Sequence, residues 1–94
     1  ISGSLSINKD ERQVLWQEQE IVLTAREFDL LHFLASHENQ VFSRDQLLEH
    51  VWGYQFSGYE HTVNTHINRL RKKLDGAECI KTLWGVGYKY VVAQ

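Results

Sequence analysis

The 94-residue chain has no proline, a single cysteine and no apolar run near the length that a membrane-spanning helix needs, about eighteen residues. One cysteine excludes an internal disulfide and a multi-cysteine zinc site, so we expect Cys79 to be a small buried apolar residue. The sequence also lacks low-complexity segments and internal repeats. Because 94 residues can bury one core but hardly two, we treat residues 1–94 as one domain.

The N-terminal residues ISGSLSINKD lack the basic-then-apolar layout of a signal peptide. We therefore expect a soluble, cytoplasmic domain with no membrane contact. The chain begins with Ile1 and not with Met, which predicts that it is a piece of a larger parent protein.

Charge is distributed unevenly along the chain. Residues 1–60 hold four Lys or Arg against ten Asp or Glu, a net charge of −6, whereas residues 61–94 hold six against two, a net charge of +4. A basic third attached to an acidic body suggests a polyanionic partner, although composition alone does not identify it.

The pattern of apolar residues predicts an α+β domain in the order meander, three helices and hairpin. Residues 5–23 alternate short apolar runs with polar turns, as in a small antiparallel meander. Thr24 with Glu27, and Ser43 with Gln46, have the spacing of capping boxes. They predict helices from there to about residues 38–39 and to about residue 51. Residues 52–60, WGYQFSGYE, are interpreted as an ordered loop with partly exposed rings.

A third helix, beginning between Ser57 and Thr62, would separate an apolar stripe from a basic face. The stripe consists of Val63, Ile67, Leu70 and Leu74, and every other residue of 61–73 is polar or basic. No acid interrupts this face before Asp75, and stacked like charges are unfavourable without a partner. The pattern favours phosphate as that partner, and the alternative is an amphipathic surface helix whose basic face is merely solvated.

The residue types on this helix also suit a DNA major groove. Arg69 can pair with guanine, Asn68 with adenine, and the methyl group of Thr65 can touch a thymine methyl. Arg71, Lys72 and Lys73 would hold backbone phosphates. After a break at Asp75-Gly76, residues 80–84 and 88–92 predict two strands joined around Gly85-Val86-Gly87.

Four segments in succession, LTAREFDLLHFLA, VFSRDQLLEHVWG, HTVNTHINRLRKKL and IKTLWGVGYKY, resemble the signatures of the OmpR/PhoB-type effector domain of bacterial response regulators. The resemblance implies a winged helix-turn-helix with an N-terminal four-stranded antiparallel sheet, three helices and a C-terminal hairpin as the wing. The helix at 61–74 would lie in the major groove, and the wing at 80–92 would touch the adjacent minor groove. The function implied is sequence-specific binding of double-stranded DNA and transcription regulation.

The resemblance also implies site residues and partners. Base-reading positions fall on Thr65 and Arg69, and backbone contacts fall on His61, His66, Asn68 and Arg71 in the helix and on Thr82 and Trp84 in the wing. Thr62, Lys72 and Lys73 complete the predicted DNA-binding surface. The loop at 52–60, with Tyr54, Phe56 and Tyr59, corresponds to a loop that touches RNA polymerase. The parent would carry a receiver domain phosphorylated by a sensor histidine kinase, and two copies of this domain, monomeric alone, would sit side by side on direct repeats of DNA.

Three positions depart from the family pattern. Many relatives have Arg where this chain has His61, Asn68 and Trp84, so we expect modest DNA affinity from the isolated domain. Trp84 has two open interpretations: it packs on or beside the DNA backbone, or it folds over the wing.

Other chemistries are poorly supported by the sequence. His61 and His66 lie about 140° apart on a helix, which does not suit a shared metal ion. No Ser/His/acid set or carboxylate pair stands out, so we expect neither an enzyme nor a cofactor. The alternative function is a winged helix that serves as a protein-interaction module through its aromatic loop.

Overall fold

The computed structural model describes residues 5–53, 58–74 and 79–91. The elements follow the predicted order of a small sheet, helices and a hairpin. Their bounds are β1 Leu5–Asn8, β2 Gln13–Trp16, β3 Gln19–Ile21, α1 Ala25–Ala35, α2 Arg44–Leu47, a π-helical segment Leu48–Trp52, α3 His61–Lys73, β4 Ile80–Leu83 and β5 Gly87–Tyr90.

The N-terminal sheet is an antiparallel meander in the order β1-β2-β3, as the alternating pattern predicts. Its core side contributes Leu5, Val14 and Trp16 to the hydrophobic core. Within the described residues this sheet has three strands, so the four strands implied by the family resemblance are not all formed here. The reason is length: only Val22 and Leu23 separate β3 from Thr24, the N-cap of α1.

Both predicted capping boxes are present. Thr24 Oγ1 accepts a hydrogen bond from the backbone N–H of Glu27, and the Glu27 carboxylate accepts one from the backbone N–H of Thr24. Ser43 and Gln46 make the same reciprocal pair at the start of α2. These bonds satisfy backbone donors that a helix start leaves unpaired, which explains why both helices begin where the sequence places them.

The first two helices end differently from the prediction. α1 stops at Ala35, before Glu38-Asn39, because the chain turns toward the hairpin, where the N–H of Asn39 donates to Tyr90 O at 2.7 Å. α2 is regular for only four residues and continues as a π-helical segment, closed by a bond from Gly53 N–H to Leu48 O. Trp52 belongs to this segment and is buried, so its assignment to a loop with partly exposed rings was wrong.

One hydrophobic cluster joins the sheet, the helices and the hairpin. All four residues of the predicted α3 stripe, Val63, Ile67, Leu70 and Leu74, are fully buried. Cys79 is buried as predicted, and this burial raises the pKa of its thiol. The core therefore determines which side of α3 faces outward.

The C-terminal hairpin is fixed to the body at its base. Phe42 and Tyr88 exchange two backbone hydrogen bonds of 2.9 Å, which pair the segment before α2 with β5. Gly87 allows this approach, since a Cβ atom there would overlap the carbonyl of Phe42. Trp84 lies in the turn and not at the end of a strand, because the pairing of β4 with β5 stops at Leu83 and Gly87. Asp75, Gly76 and Val92 fall outside the described residues.

Candidate nucleic-acid interface

The outward face of α3 carries most of the predicted DNA-binding side chains. His61, Thr65, Asn68, Arg69 and Lys72 are exposed, and Thr62 is half-buried. Thr65 Oγ1 donates to His61 O at 3.3 Å, so the hydroxyl points toward the preceding turn of the helix. Neither Arg69 nor Lys72 forms an ion pair with any residue that the structure describes. These two cations are therefore available to an anionic partner.

Arg71, by contrast, bonds within the protein. Its Nη2 donates to Ile80 O at 2.8 Å and to Thr82 Oγ1 at 2.6 Å, and its Nε reaches Ile80 O at 3.3 Å. Its guanidinium also lies 5.8 Å from the centre of the Tyr88 ring. Arg71 and Thr82, both predicted to contact DNA, thus bind each other and join α3 to the wing.

Lys73 is likewise engaged. Its Nζ lies 2.6 Å from Oε1 of Glu27, whose side chain is only 1% exposed. Burial alone would raise the pKa of Glu27, but the hydrogen bonds from Lys73 and from the backbone of Thr24, with the nearby positive charge, leave that pKa lowered. One carboxylate therefore caps α1 and fixes the last turn of α3.

Two further contacts fix the flanks of α3. His66 Nδ1 donates to Thr62 O at 2.8 Å, and its ring meets the Trp52 ring edge-on at 4.9 Å. On the other flank, the hydroxyl of Tyr88 donates to Asn64 Oδ1 at 2.6 Å. Sequence reasoning did not predict the role of Asn64. No local signal marks it, because its partner is 24 residues away.

The wing presents two different surfaces. Thr82 and Tyr88 are cross-strand partners that bond to α3, while Lys81 and Lys89 are cross-strand partners at the next position. Strand alternation therefore places the two lysines on the opposite face. Sequence reasoning also missed this basic pair, which the register of the hairpin would have revealed. At the tip, Trp84 is 91% exposed, so the ring does not fold over the wing.

An open groove of about 780 Å³ separates the wing tip from the starts of α2 and α3. Its walls include Arg44 and Asp45, His61 and Asn64, and the turn around Trp84. At the edge of the groove, the Glu60 carboxylate raises the pKa of Asp45, because it accepts a hydrogen bond from the protonated Asp45 carboxyl and its negative charge disfavours ionisation of Asp45. The groove makes the N-terminal half of α3 and the wing tip one continuous concave surface.

The predicted aromatic loop is described only in part. Tyr59 is 53% exposed, with its ring 6.3 Å from that of His61. Tyr54 and Phe56 lie outside the described residues. Within the described ranges, no cluster of three or more His, Cys, Asp or Glu side chains is arranged to hold a metal ion. No helix there combines the length and apolar character needed to span a membrane.

Comparison with known proteins identifies the family. Residues 18–90 match the family of transcriptional regulatory proteins, C terminal. The chain belongs to the OmpR/PhoB-type DNA-binding domains of response regulators. Members of this family are DNA-binding domains of transcription regulators and not enzymes. The assignment confirms the winged-helix class and the DNA-binding output role at the level of the family.

Individual relatives agree with this assignment. The uncharacterized transcriptional regulatory protein YclJ of Bacillus subtilis is 54% identical over 88 residues, which are 90% of this chain and 39% of that protein. The transcriptional regulatory protein SrrA of Staphylococcus aureus is 48% identical over 94% of this chain and 39% of its own length. This effector domain thus spans about two fifths of the curated relatives it matches.

Solved structures of the OmpR/PhoB type have the same fold. The DNA-binding domain of Klebsiella pneumoniae RstA, solved in complex with the RstA box, superimposes with a TM-score of 0.86 at 36% identity. That alignment covers 97% of this chain and 94% of the RstA chain. The fold and the family are therefore supported independently.

Proposed function

We propose that this chain binds double-stranded DNA sequence-specifically and regulates transcription as the output domain of a two-component response regulator. In this proposal α3 enters the major groove, and the wing contacts the adjacent minor groove. The observation that carries it is the division of cations on α3. Arg71 and Lys73 bond to other groups of the protein, while Arg69 and Lys72 are exposed and have no acidic partner in the described part of the chain.

The division assigns separate tasks to the exposed side chains. Arg69, with Thr65 and Asn68 nearby on the same face, has the donor geometry for base edges. Lys72 and His61 lie toward the two ends of that face and suit backbone phosphates. Arg71, Thr82, His66 and Lys73 act mainly by holding α3 against the wing and the core. The RstA domain, solved on its DNA box, supports duplex DNA as the ligand class.

Substitution of Arg69 tests the sequence-specific part. On a duplex selected by this chain from a random library, Arg69→Ala should cost about 1 to 3 kcal/mol in binding and relax preference at one base pair, because a bidentate base contact supplies that discrimination. The measurement is a binding titration on selected and random duplexes at several salt concentrations. Equal losses on both duplexes would reduce Arg69 to a phosphate contact.

The same titration separates the two function classes. DNA binding releases counterions, so affinity for random duplex should fall steeply as salt rises. A winged helix used only as a protein-interaction module would bind duplex weakly and without that slope. Lys9→Ala is a suitable control, because Lys9 is an exposed cation in the β1–β2 turn.

The remaining parts of the proposal concern the whole protein. We place a receiver domain before this domain, a sensor histidine kinase upstream of it, and the protein in the cytoplasm. We also propose that Tyr59, which is exposed, contacts RNA polymerase. We propose that the domain is monomeric alone and pairs side by side on direct repeats, with centres about one helical turn apart. Sedimentation of the free domain, beside titrations onto one-site and two-site duplexes, tests the pairing.

A further inference from the structure

The wing ends in a short, well-defined apolar tip. The N–H of Val86 donates to Leu83 O at 2.9 Å, and Gly85 has a φ of +79°, the arrangement of a type II turn with Trp84 at its second position. Trp84 is 91% exposed and Val86 57% exposed. The turn therefore projects two large apolar side chains that no described part of the chain covers.

This tip is held rigidly with respect to α3. Phe42 pairs with the base of the wing, Arg71 bonds Thr82, and the Tyr88 hydroxyl bonds Asn64. Because three contacts fix the hairpin, its tip keeps its position when it presses against a binding partner. A loosely attached hairpin would move aside instead.

The charge of the wing and the position of its tip indicate which partner the tip contacts. The described wing, residues 79–91, contains Lys81 and Lys89 and no acid, and these lysines face each other across the two strands. Like charges at paired positions are unfavourable unless an anion lies nearby. The groove is lined by Trp84 and Val86 on the side of the wing and by His61 and Asn64 on the side of α3, so the tip and the start of α3 lie on one concave surface. A duplex that accepted α3 in its major groove would therefore present its adjacent minor groove to the tip.

We propose that Trp84, supported by Val86, is an apolar wedge that enters the minor groove and partly unstacks a base step, so that the wing reads the deformability of the DNA. This inference rests on the proposed DNA-binding function and specifies its mode of readout. A cationic tip would be drawn to the negative potential of a narrow A-tract groove. A neutral indole gains nothing from that potential and instead prefers steps that unstack easily, such as TA and CA/TG.

The test uses one selected duplex in which the base step beneath the wing is either TA or part of an A-tract. This chain should prefer the TA duplex by roughly fivefold to tenfold and bend it measurably in an end-to-end fluorescence energy transfer assay. Trp84→Ala should abolish both the preference and the bend, without changing the salt slope. Trp84→Arg should shift the preference toward the A-tract and steepen the salt slope by about one unit.

Intrinsic fluorescence reports the position of the ring directly. The chain has three tryptophans, and Trp16 and Trp52 are 9% and 6% exposed, so acrylamide quenching in the free domain reports mainly on Trp84. Bound DNA should protect the fluorescence of Trp84 from quenching by acrylamide. The substitutions alter an exposed residue, so the melting temperature should stay unchanged and loss of fold cannot explain the result.

Three results would overturn the wedge. The first is that Trp84 stays accessible to acrylamide while the duplex is bound. The second is that Trp84→Ala loses affinity equally for both duplexes and leaves the bend of the DNA unchanged. The third is the absence of duplex binding by the unaltered chain, which would defeat the proposed function as well. Only the first two leave DNA binding intact, so failure of the wedge is distinguishable from failure of the function.

Discussion

α1 and α3 each bury an apolar stripe in the same core, but they are stabilised differently. α1 has a complete capping box at Thr24 and an acid, Glu27, in its first turn. α3 follows Glu60 without any side-chain cap, has no acid in its first turn and carries Arg71, Lys72 and Lys73 in its last. The first helix begins with a side-chain cap, whereas the N–H groups of Thr62 and Val63 in the third donate to the backbone carbonyls of Tyr59 and Glu60.

This difference explains why the outward face of α3 can serve as a binding surface. Basic residues at a helix C-terminus are favourable toward the helix dipole, but α3 lacks the side-chain cap and the first-turn acid that stabilise the start of α1. α3 is held in place by bonds to α1 and the wing, through Lys73, Arg71 and Asn64. Its outward face is therefore relieved of structural tasks and can bind a ligand.

The largest effect should come from the core side of α1. Phe28→Ala removes a ring that is 4% exposed, and the lost burial together with the cavity should cost about 3 to 5 kcal/mol of unfolding free energy. Chemical denaturation measures it, with Val22→Ala, at a position 80% exposed, as the control. A normal denaturation midpoint in Phe28→Ala would show that α1 does not anchor the core.

Arg71→Ala should have the next largest effect, since it removes the bonds from α3 to Ile80 and Thr82 and leaves the Tyr88–Asn64 bond to hold the wing. Hydrogen bonds to charged groups contribute about 1.5 to 3 kcal/mol, and the substitution leaves Ile80 O without this donor. We also expect weaker binding on all duplexes, because the wing would lose its fixed position. If stability were unchanged and only the salt slope fell, Arg71 would act as a phosphate contact instead.

The Glu27–Lys73 pair should make stability depend on pH. The folded-state pKa of Glu27 lies below its ordinary value of 4.5, so the ionised carboxylate stabilises the fold above about pH 4.5, and this contribution is lost as pH falls through the folded-state pKa. Glu27→Gln should cost about 1 to 2 kcal/mol near pH 7, discounted because Lys73 is partly exposed. Its cost should shrink in acid, measured by denaturation from pH 7 to pH 3. A pH-independent cost would point to packing alone.

The sequence predicted elements whose signals are local. Both capping boxes lie within four residues, and the α3 stripe follows directly from helical periodicity. The π-helical turn and the burial of Trp52 were not predictable in this way. They depend on contacts with His66 in α3 and Arg26 in α1, which are distant in sequence.

The same distinction between local and long-range signals applies to the candidate site. The basic face of α3 could be recognised from one segment, but its four cations look equivalent in the sequence. Their separation into two bonded and two available side chains depends on Glu27 and Thr82, which come from other elements. Partners this far apart leave no periodic pattern, so only the folded arrangement reveals them.

The smallest effect on stability should come from Lys72, the exposed neighbour of Arg71. Lys72→Ala should change the unfolding free energy by less than about 0.5 kcal/mol, since surface substitutions away from specific contacts rarely do more. Yet it should flatten the salt dependence of duplex binding by about one unit on every sequence, because one phosphate contact is lost. Lys9→Ala, the matched cation on the acidic body, should change neither quantity. An unaltered salt slope in Lys72→Ala would remove this residue from the interface and leave Arg69 as the principal outward cation of α3.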